Sequence, residues 1–387
     1  MNIGIFTDTY YPEVNGVANS TYQLKRGLEK LGHKVYVFTV TNPNANIESE
    51  TNVFRIASVP FILCKERRVG CPIISKWKRV IKELELDIIH TQTEFIMGHL
   101  GHKVAEYLDI PHVHTYHTIY EDYTHYLRIP GNKRLKGVVR SFSRHCCNNA
   151  DVVIVPTDKV KKILAEYHVD KEIKVIPTGI NLNKFMKFNK LNTNKIKKDL
   201  GLLDKHVLIY IGRISEEKNI EEVMDNFLEV QKIDDKAALV IVGDGPEMDS
   251  LKRYKESLGL RENVIFTGMV PWDSIEDYYA IGDIFVSAST SETQGLTYAE
   301  ALASSLPLLV RKDPCLNNIL LEKVNGVAYE NQSQFLEGYK YLINAMKSSE
   351  FKNKIRNSIE FLKGEKFAID VEKVYMDLMQ EVRSYCG

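Results

Sequence analysis

The stretches Asp283-Ile-Phe-Val-Ser-Ala-Ser289 and Ser291-Glu-Thr-Gln-Gly-Leu-Thr-Tyr-Ala-Glu300 together predict a buried strand, a turn and a helix. The first run is β-branched and aromatic, which is typical of a parallel strand covered on both faces. From Leu296 onward the chain is rich in Ala, Leu and Glu, which favour a helix. Gly295 lies in the turn, where a missing side chain lets a ligand approach the backbone. The amides of the first helical turn favour a negative or hydroxyl-rich ligand there.

Two carboxylates, Glu292 and Glu300, flank this turn with seven residues between them. An ionised carboxylate only accepts hydrogen bonds, so the pair is suited to the hydroxyl groups of a sugar. The alternative is a serine-rich turn followed by a solvated helix face.

The composition is ordinary for a soluble globular protein, with 44% of the 387 residues hydrophobic and 26% charged. The length predicts two or three domains. Lys and Arg balance Asp and Glu at 51 each, so the overall charge predicts no nucleic-acid partner. No uncharged apolar run approaches the ~20 residues that span a bilayer, and the first residues predict a strand rather than a signal peptide. The six cysteines have no paired metal-ligand spacing, and we expect them to be the reduced thiols of a cytosolic protein.

The N-terminal half alternates strands and helices, which predicts βαβ units in a doubly wound parallel sheet. Strands are predicted at residues 3–7, 34–40, 52–56, 87–91, 112–115 and 151–156, and helices at 17–31, 75–84, 98–108 and 133–148. The first loop, at residues 12–17, lacks the Gly-x-Gly-x-x-Gly fingerprint of dinucleotide-binding enzymes. Its Asn15 and Gly16 still open a helix whose amides can bind a phosphate or a sugar, with a plain turn and helix cap as the alternative.

A second alternating set follows a polar, Lys/Asn-rich stretch at residues 181–198, which predicts a surface linker. Strands are predicted at residues 206–212, 238–243, 264–268, 283–289 and 308–310, and helices at 219–231, 247–258, 274–281 and 368–383. The predicted fold class is therefore α/β, with two Rossmann-like doubly wound domains facing across a cleft. We expect an N-terminal domain at residues 1–177, a C-terminal domain at 178–365, and a final helix at 366–387 that packs back on the first domain.

The loop Gly212-Arg-Ile-Ser-Glu-Glu-Lys-Asn219 places two cations, Arg213 and Lys218, at the start of a predicted helix. The helix dipole disfavours cations there, so their presence predicts an anion that completes the site. A diphosphate would satisfy both, with Arg213 binding through two nitrogens and Lys218 acting as a point charge. The alternative is pairing with neighbouring glutamates on a solvated face. Gly243 and Gly268 lie in further strand-end loops that can admit a nucleotide base, with a plain turn as the alternative for each.

Seven motifs, taken in order, resemble those of the retaining GT-B glycosyltransferases of group 1, and they cover nearly the whole chain. They are Pro-x-x-Asn-Gly-Val at 12–17, Ala-Asp-x-Val-Ile at 150–154, Val-Ile-Pro-x-Gly-Ile at 175–180, Gly-Arg-x5-Asn at 212–219, Val-Gly-Asp-Gly-Pro at 242–246, Phe-x-Gly at 266–268 and Glu-x7-Glu at 292–300. The run Thr-x-His-Thr-x-Tyr-Glu-Asp-Tyr-Thr-His-Tyr at 115–126 is similar to bacterial 1,2-diacylglycerol 3-glucosyltransferases.

This resemblance implies roles for individual residues. Arg213 and Lys218 would bind the donor diphosphate, Glu292 the transferred sugar and Glu300 the nucleotide ribose. His117 matches the family's histidine near the reacting carbon, which completes a catalytic set of His117, Glu292, Arg213 and Lys218. The implied donor-binding residues are Asn15, Gly16, Val17, Gly243, Gly268, Met269, Gln294, Gly295, Leu296, Thr297 and Glu300.

Histidines are frequent near His117, so a zinc site is an alternative. His99 and His102 share a predicted helix face, but no cysteine or clear carboxylate partner lies at ligand spacing. A core histidine is the simpler interpretation of His112 and His114. Members of the resembled family need no metal, so we expect none here.

Two basic stretches with interleaved apolar residues predict contact with an anionic membrane surface in the N-terminal domain. The first contains Arg67, Arg68, Lys76, Lys78 and Arg79 around Trp77, and the second contains Lys133, Arg134, Lys136 and Arg140 with Val138 and Phe142. The alternative is solvated helix faces in a lysine-rich protein.

We therefore expect a retaining hexosyltransferase that moves glucose from UDP-glucose to diacylglycerol, without cofactor or metal, at the cytoplasmic face of the cell membrane. Charge on the leaving diphosphate would be stabilised by the two cations and the helix amides. Front-face attack is favoured over a covalent carboxylate intermediate, since no nucleophile is evident. The alternatives are transfer to another lipid-linked or polysaccharide acceptor, a sugar-nucleotide epimerase of the same fold, and a non-catalytic sugar-nucleotide-binding subunit.

Overall fold

The chain divides into two compact units in a computed structural model that describes residues 1–61, 64–70, 74–122, 132–260 and 262–386. Side chains are described for these residues except 49, 61, 64–67, 74–76, 132–134 and 382–386. The first unit contains Met1–Gly179 and Gly364–Gly387, and the second contains Ile180–Lys363.

The first unit is built on a seven-stranded parallel sheet. The strands of this unit, including two outside the main sheet, are β1 (Asn2–Phe6), β2 (Lys34–Val40), β3 (Val53–Ile56), β4 (Ser58–Phe61), β5 (Cys64–Gly70), β6 (Ile88–Thr91), β7 (His112–Thr115), β8 (Val152–Val155) and β9 (Glu172–Val175). Its first helices are α1 (Gly16–Lys30), α2 (Ile74–Glu83), α3 (Ile96–Leu108), α4 (Asn132–Asn148) and α5 (Asp158–Glu166). The sheet order is β3-β2-β1-β6-β7-β8-β9, while β4 and β5 form a separate antiparallel pair.

The second unit contains a six-stranded parallel sheet. Its strands are β10 (His206–Ile211), β11 (Ala237–Val242), β12 (Val264–Gly268), β13 (Ile284–Ser287), β14 (Leu308–Arg311) and β15 (Gly326–Tyr329), in the order β12-β11-β10-β13-β14-β15. Its helices are α6 (Leu182–Met186), α7 (Lys190–Asp199), α8 (Ile220–Gln231), α9 (Met248–Ser257), α10 (Ile275–Tyr279), α11 (Leu296–Ala303), α12 (Gln332–Ala345) and α13 (Ser349–Asn357). The last helix, α14 (Gly364–Cys386), belongs to the first unit.

The strand order places the carboxyl ends of particular strands side by side. In the second unit β10 lies between β11 and β13, so the chain turns in opposite directions on its two sides. Ligands of open parallel sheets bind at such a switch point. The loops that follow β10 and β13 are therefore neighbours, although about 70 residues of sequence separate them. In the first unit β1 takes the equivalent place between β2 and β6.

Hydrophobic burial explains why these strands form. All four residues of β13 and all six of β11 are buried, which fits the continuous apolar runs of strands covered by helices on both faces. The long helix α14 packs against α1 at small residues, because a Cβ built on Gly27 would lie only 2.5 Å from the Cβ of Ala368. This close approach fixes the end of the chain on the first unit.

Most predicted elements agree with the structure to within one or two residues, but the linker prediction at residues 181–198 is wrong. That stretch contains α6 and nearly all of α7. Leu182 and Phe185 are buried in the core of the second unit, at 5% and 2% exposure. Polar composition concealed them because α7 exposes most of its Lys and Asn residues to solvent. The structure also contains elements that were not predicted from the sequence, namely the pair β4–β5 and α5, β9, α12, α13 and β15.

Candidate functional site

An ion pair joins the loops after β10 and β13. The Nζ atom of Lys218 lies 2.6 Å from Oε1 of Glu292, and the two side chains are only 16% and 19% exposed. Ser291 Oγ also donates to the backbone oxygen of Glu217 at 3.3 Å. Both loops begin where a buried strand ends at the switch point, which is why residues distant in sequence meet here.

The helix α11 begins at the predicted turn. Gly295 has φ 73° and ψ 64°, in the left-handed region, and directly precedes Leu296. A Cβ on Gly295 would lie 2.5 Å from the ring of Tyr298, so glycine is required both for the conformation and for space. Gln294 is buried, Leu296 and Thr297 are half-buried, and the first turn of α11 follows the loop that carries Glu292.

Glu300 is a buried carboxyl group on α11, with 4% exposure. The hydroxyl of Tyr279 donates a hydrogen bond to Glu300 Oε2 at 2.7 Å. Burial raises the pKa of Glu300 to about 7, although the Tyr279 hydrogen bond and the charge of Lys184 both act to lower it. A carboxyl group poised near neutral pH can accept a hydroxyl hydrogen bond once it is ionised. Tyr279 was missed in the sequence, because a tyrosine at the end of a short helix carries no distinctive pattern.

The glycine loops of the second unit pack against one another. Gly243 has φ 138°, and a Cβ there would lie 1.9 Å from the backbone oxygen of Gly212. The amide of Gly243 donates to the oxygen of Gly268 at 3.0 Å. Met269, next to Gly268, is 75% exposed. These contacts bring the three predicted loops to one edge of the sheet.

Arg213 lies in the same loop as Lys218 but is exposed. Its backbone oxygen accepts a hydrogen bond of 2.9 Å from the hydroxyl of the buried Tyr210, which holds the loop backbone in place. The loop therefore carries one exposed cation, Arg213, and one half-buried cation, Lys218.

In the first unit, Asn15 caps α1. Its side chain accepts from the amide of Ala18 at 2.9 Å and donates to Thr9 Oγ1 at 2.7 Å. Gly16 and Val17 form the first turn of α1, so this loop presents helix amides at the carboxyl end of β1. The helix cap expected as the alternative is therefore present, and the binding role of Gly16 and Val17 stays a prediction.

His117 follows β7 and contacts Gln92, which follows the neighbouring strand β6. Its Nε2 atom lies 2.8 Å from Oε1 of Gln92. Burial, together with nearby His114, lowers the pKa of His117 to about 3, so the ring is neutral at pH 7. A carbonyl oxygen only accepts, so Nε2 carries the proton and Nδ1 carries the lone pair. Gln92 was missed in the sequence, since only the adjacency of β6 and β7 links it to His117.

Three other histidines, His90, His112 and His114, contact hydroxyl groups in the interior of the first unit. His90 contacts the hydroxyls of Tyr375 and Thr115, both at 2.6 Å, and His112 and His114 both contact Thr91 Oγ1. Within the described residues, no group of three or more His, Cys, Asp or Glu side chains is arranged to bind a metal ion. The interpretation of His112 and His114 as core histidines agrees with their exposures of 5% and 2%.

The predicted membrane residues of the first basic stretch differ in their surroundings. Arg68 is half-buried and donates to the hydroxyl and backbone oxygens of Ser58, so its guanidinium group links β5 to β4. Lys78 lies over the ring of Tyr107, 4.8 Å from its centre, and Arg79 pairs with Glu83 on the surface. Trp77 packs edge-on against the rings of Phe38 and Phe54. The side chains of Arg67 and Lys76 lie outside the described residues.

The second basic stretch forms α4. Arg140 and Lys136 both pair with Glu121, at 2.9 and 3.3 Å. Val138 and Phe142 are 65% and 37% exposed on the same helix. The side chains of Lys133 and Arg134 lie outside the described part of the chain.

Two protein-family models match the chain: Glycosyltransferase Family 4 at residues 14–184, and Glycosyl transferases group 1 at residues 192–360. Together with the two parallel α/β units, these matches define the class of protein: the chain belongs to the group 1 glycosyltransferases with the GT-B fold. The resemblance and the fold class predicted from the sequence are thereby confirmed.

Two curated proteins and one solved structure are similar to this chain over most of its length. The chain is 45% identical to the alpha-monoglucosyldiacylglycerol synthase of Streptococcus pneumoniae, over 85% of this chain and 75% of the relative. It is 34% identical to the enzyme of the same name from Acholeplasma laidlawii, over 98% of both chains. The Anabaena protein HepE, solved in complex with UDP, shares the fold with a TM-score of 0.75 and 17% identity, over 98% of this chain and 100% of that chain. No helix among the described residues combines the length and apolarity needed to cross a bilayer.

Proposed function

We propose that this protein is a retaining hexosyltransferase that moves glucose from UDP-glucose to diacylglycerol. The observation that carries the proposal is the Lys218–Glu292 pair beside the first turn of α11, together with 34–45% identity to two alpha-monoglucosyldiacylglycerol synthases. UDP is the nucleotide to test first, because HepE binds it in a similar fold.

The second unit is the proposed donor domain. Lys218, Arg213 and the α11 amides bind the diphosphate and stabilise the negative charge that grows on it as the glycosidic bond breaks. Glu292 and the backbone around Gly295 hold the glucose hydroxyls, and Glu300 accepts a hydrogen bond from the ribose. Gly243, Gly268 and Met269 line the binding site of the nucleotide base. The two cations and helix amides neutralise the leaving group, so the proposed reaction requires no metal.

The first unit is the proposed acceptor domain. Neutral His117 offers Nδ1 as an acceptor to a hydroxyl group near the reacting carbon, and the first turn of α1, at Asn15, Gly16 and Val17, contributes to donor binding. Attack of the acceptor on the face that the diphosphate leaves gives retention without a protein nucleophile. Protein bound peripherally to the inner face of the cell membrane would reach its lipid acceptor through the cations of α2 and α4, including Lys78, Arg79, Lys136 and Arg140.

The test is transfer of radiolabelled glucose from UDP-glucose to diacylglycerol in anionic mixed micelles. Wild-type protein is expected to form a monoglucosyl lipid with an α linkage, undiminished by EDTA, and Glu292→Ala to form it about 10²- to 10³-fold more slowly. Glu256→Ala, at an exposed position on α9 of the same unit, is the matched control and should retain activity. Release of UDP without a lipid product would move the search to another lipid-linked or polysaccharide acceptor. Conversion of UDP-glucose to its epimer would replace the transferase proposal, and a protein that turns over no nucleotide sugar would end it.

A further inference from the structure

A buried polar cluster, consisting of Gln92, Glu94 and His114, lies at the carboxyl ends of β6 and β7. The three residues are 1%, 5% and 2% exposed. Among the described residues, eight buried side-chain polar atoms have no hydrogen-bond partner, and three of them are Gln92 Nε2, Glu94 Oε1 and His114 Nε2. Glu94 Oε1 and His114 Nε2 lie 3.4 Å apart, in a contact whose geometry falls short of a hydrogen bond. Buried polar groups are normally satisfied, so this concentration indicates a missing ligand.

The unsatisfied atoms have complementary chemistry. The amide nitrogen of Gln92 donates, and the carboxyl oxygen of Glu94 accepts. A hydroxyl group does both, so one hydroxyl can satisfy a donor and an acceptor together. Gln92 also accepts from His117 at 2.8 Å, which places the cluster next to the histidine proposed for catalysis.

An aromatic patch, consisting of the exposed Phe95 and Phe142 and the half-buried Tyr120, adjoins this cluster. The ring of Phe95 lies 5.4 Å from that of Tyr120 and 5.9 Å from that of Phe142. Phe95 and Phe142 are 51% and 37% exposed. The hydroxyl of Tyr120 donates to Glu94 Oε2, so one residue links the apolar surface to the buried carboxyl group. The helix that carries Phe142 has several Lys and Arg residues and no Asp or Glu, which complements an anionic lipid surface.

We propose that these two features form one amphipathic acceptor site for a hydroxyl-bearing diacylated glycerol. Glu94 and Gln92 bind the free hydroxyl, and Phe95, Tyr120 and Phe142 contact the beginning of the acyl chains. The inference rests on the proposed function for its substrate class, but its test measures binding and does not depend on turnover.

The test compares two labelled lipids by equilibrium gel filtration in detergent micelles without donor. One is dioctanoylglycerol and the other is the same lipid with hydrogen in place of the hydroxyl. Wild-type protein is expected to prefer the hydroxyl lipid about tenfold, as one hydrogen bond to a buried partner allows. Glu94→Met should abolish this preference, and Glu94→Gln, which keeps an acceptor oxygen, should restore part of it. Glu106→Gln, a surface carboxylate on α3, is the matched control and should keep the full preference.

If Glu94→Met fails to fold, Phe142→Ser still tests the inference, because it changes only an exposed residue of the aromatic patch. It should weaken the binding of both lipids about fivefold and leave the preference intact. Unchanged binding in Phe142→Ser, or full preference in folded Glu94→Met, would overturn the inference while leaving glucosyl transfer unaffected. Preference without any glucosyl transfer to diacylglycerol would support the site and refute the proposed reaction.

Discussion

Lys218 Nζ and Glu292 Oε1 lie 2.6 Å apart, although 74 positions of sequence separate the two residues. The pair exists because β10 and β13 are adjacent parallel strands and each residue follows the carboxyl end of one of them. In the proposed reaction the donor contacts both side chains, which the strand order holds close together. A pair that is more than four-fifths buried is also screened less by salt than a surface pair.

Lys218→Ala and Glu292→Ala are each expected to lower kcat for glucosyl transfer about 10²- to 10³-fold, because each removes an interaction with charge or hydroxyls in the transition state. The double variant should lose far less than the product of the two, because the residues act as one unit. Steady-state kinetics of the three variants measure this coupling. Lys232→Ala is the matched control, since Lys232 pairs with Glu229 at the same 2.6 Å on the surface. Strictly multiplicative losses would show that the pair is not a functional unit.

Gly295→Ala is expected to lower the free energy of unfolding by about 2–4 kcal/mol, because a left-handed alanine is strained and its Cβ meets the Tyr298 ring. Gly201→Ala separates the two causes. Gly201 has φ 69° but nothing within 4 Å of a Cβ, so only the conformational cost of about 1 kcal/mol applies. Urea unfolding of both variants measures the difference. Equal losses would mean that the Tyr298 ring moves aside without cost.

Glu300 predicts a pH dependence of stability. Its pKa of about 7 in the folded protein lies above the usual value of 4.5, so the folded state binds the proton more tightly than the unfolded state. The resulting stabilisation is present below about pH 4.5 and is lost as the pH rises to about 7. Relative to Glu300→Gln, the wild-type protein should lose roughly 3 kcal/mol over this window. Urea unfolding of both proteins at several pH values checks this, and parallel curves would contradict it. The control variant Glu256→Gln, at an exposed position on α9, should show the same change of stability with pH as the wild type.

The sequence was sufficient for the fold class because βαβ alternation and buried apolar runs are local signals. It also located the loops at the ends of β10 and β13, since glycine, charge and strand-end position coincide there. The contact between Lys218 and Glu292 could not be predicted, because it depends on strand order. Tyr279 and Gln92 were missed for the same reason, as each acquires its role only through a partner on another element.

The error at residues 181–198 had a different origin. These residues look like a linker because their surface is polar, yet Phe185 anchors them in the core. Their composition reflects the exposed side chains and conceals the buried ones.

Buried neutral histidines predict acid sensitivity of the first unit. Burial lowers the pKa of His112 to about 3, and the pKa of His90 also lies well below 6.5. The unfolded chain binds protons at these histidines below about pH 6.5 and the folded chain does not, so stability falls as the pH drops from about 6.5 towards 3. Between about pH 6.5 and pH 5, the free energy of unfolding of His112→Gln should fall by about 2 kcal/mol less than that of the wild type. Near-ultraviolet circular dichroism during urea unfolding measures the slope. His145→Gln, an exposed control on α4, should leave it unchanged.

Binding to anionic vesicles should depend on exposed cations of α2 and α4. Arg79 has an 89% exposed side chain, and Arg144 is exposed on α4. Removing one such charge costs about 1 kcal/mol of membrane binding, which is roughly a fivefold loss of partitioning. Arg79→Gln and Arg144→Gln should each show this loss in co-sedimentation with phosphatidylglycerol vesicles, and the effect should shrink as salt rises. Lys352→Gln, exposed on α13 of the second unit, is the matched control. If all three variants bind as the wild type does, these helix faces are solvated and the membrane contact lies elsewhere. If Lys352→Gln weakens binding equally, the attraction reflects charge in general rather than the faces of α2 and α4.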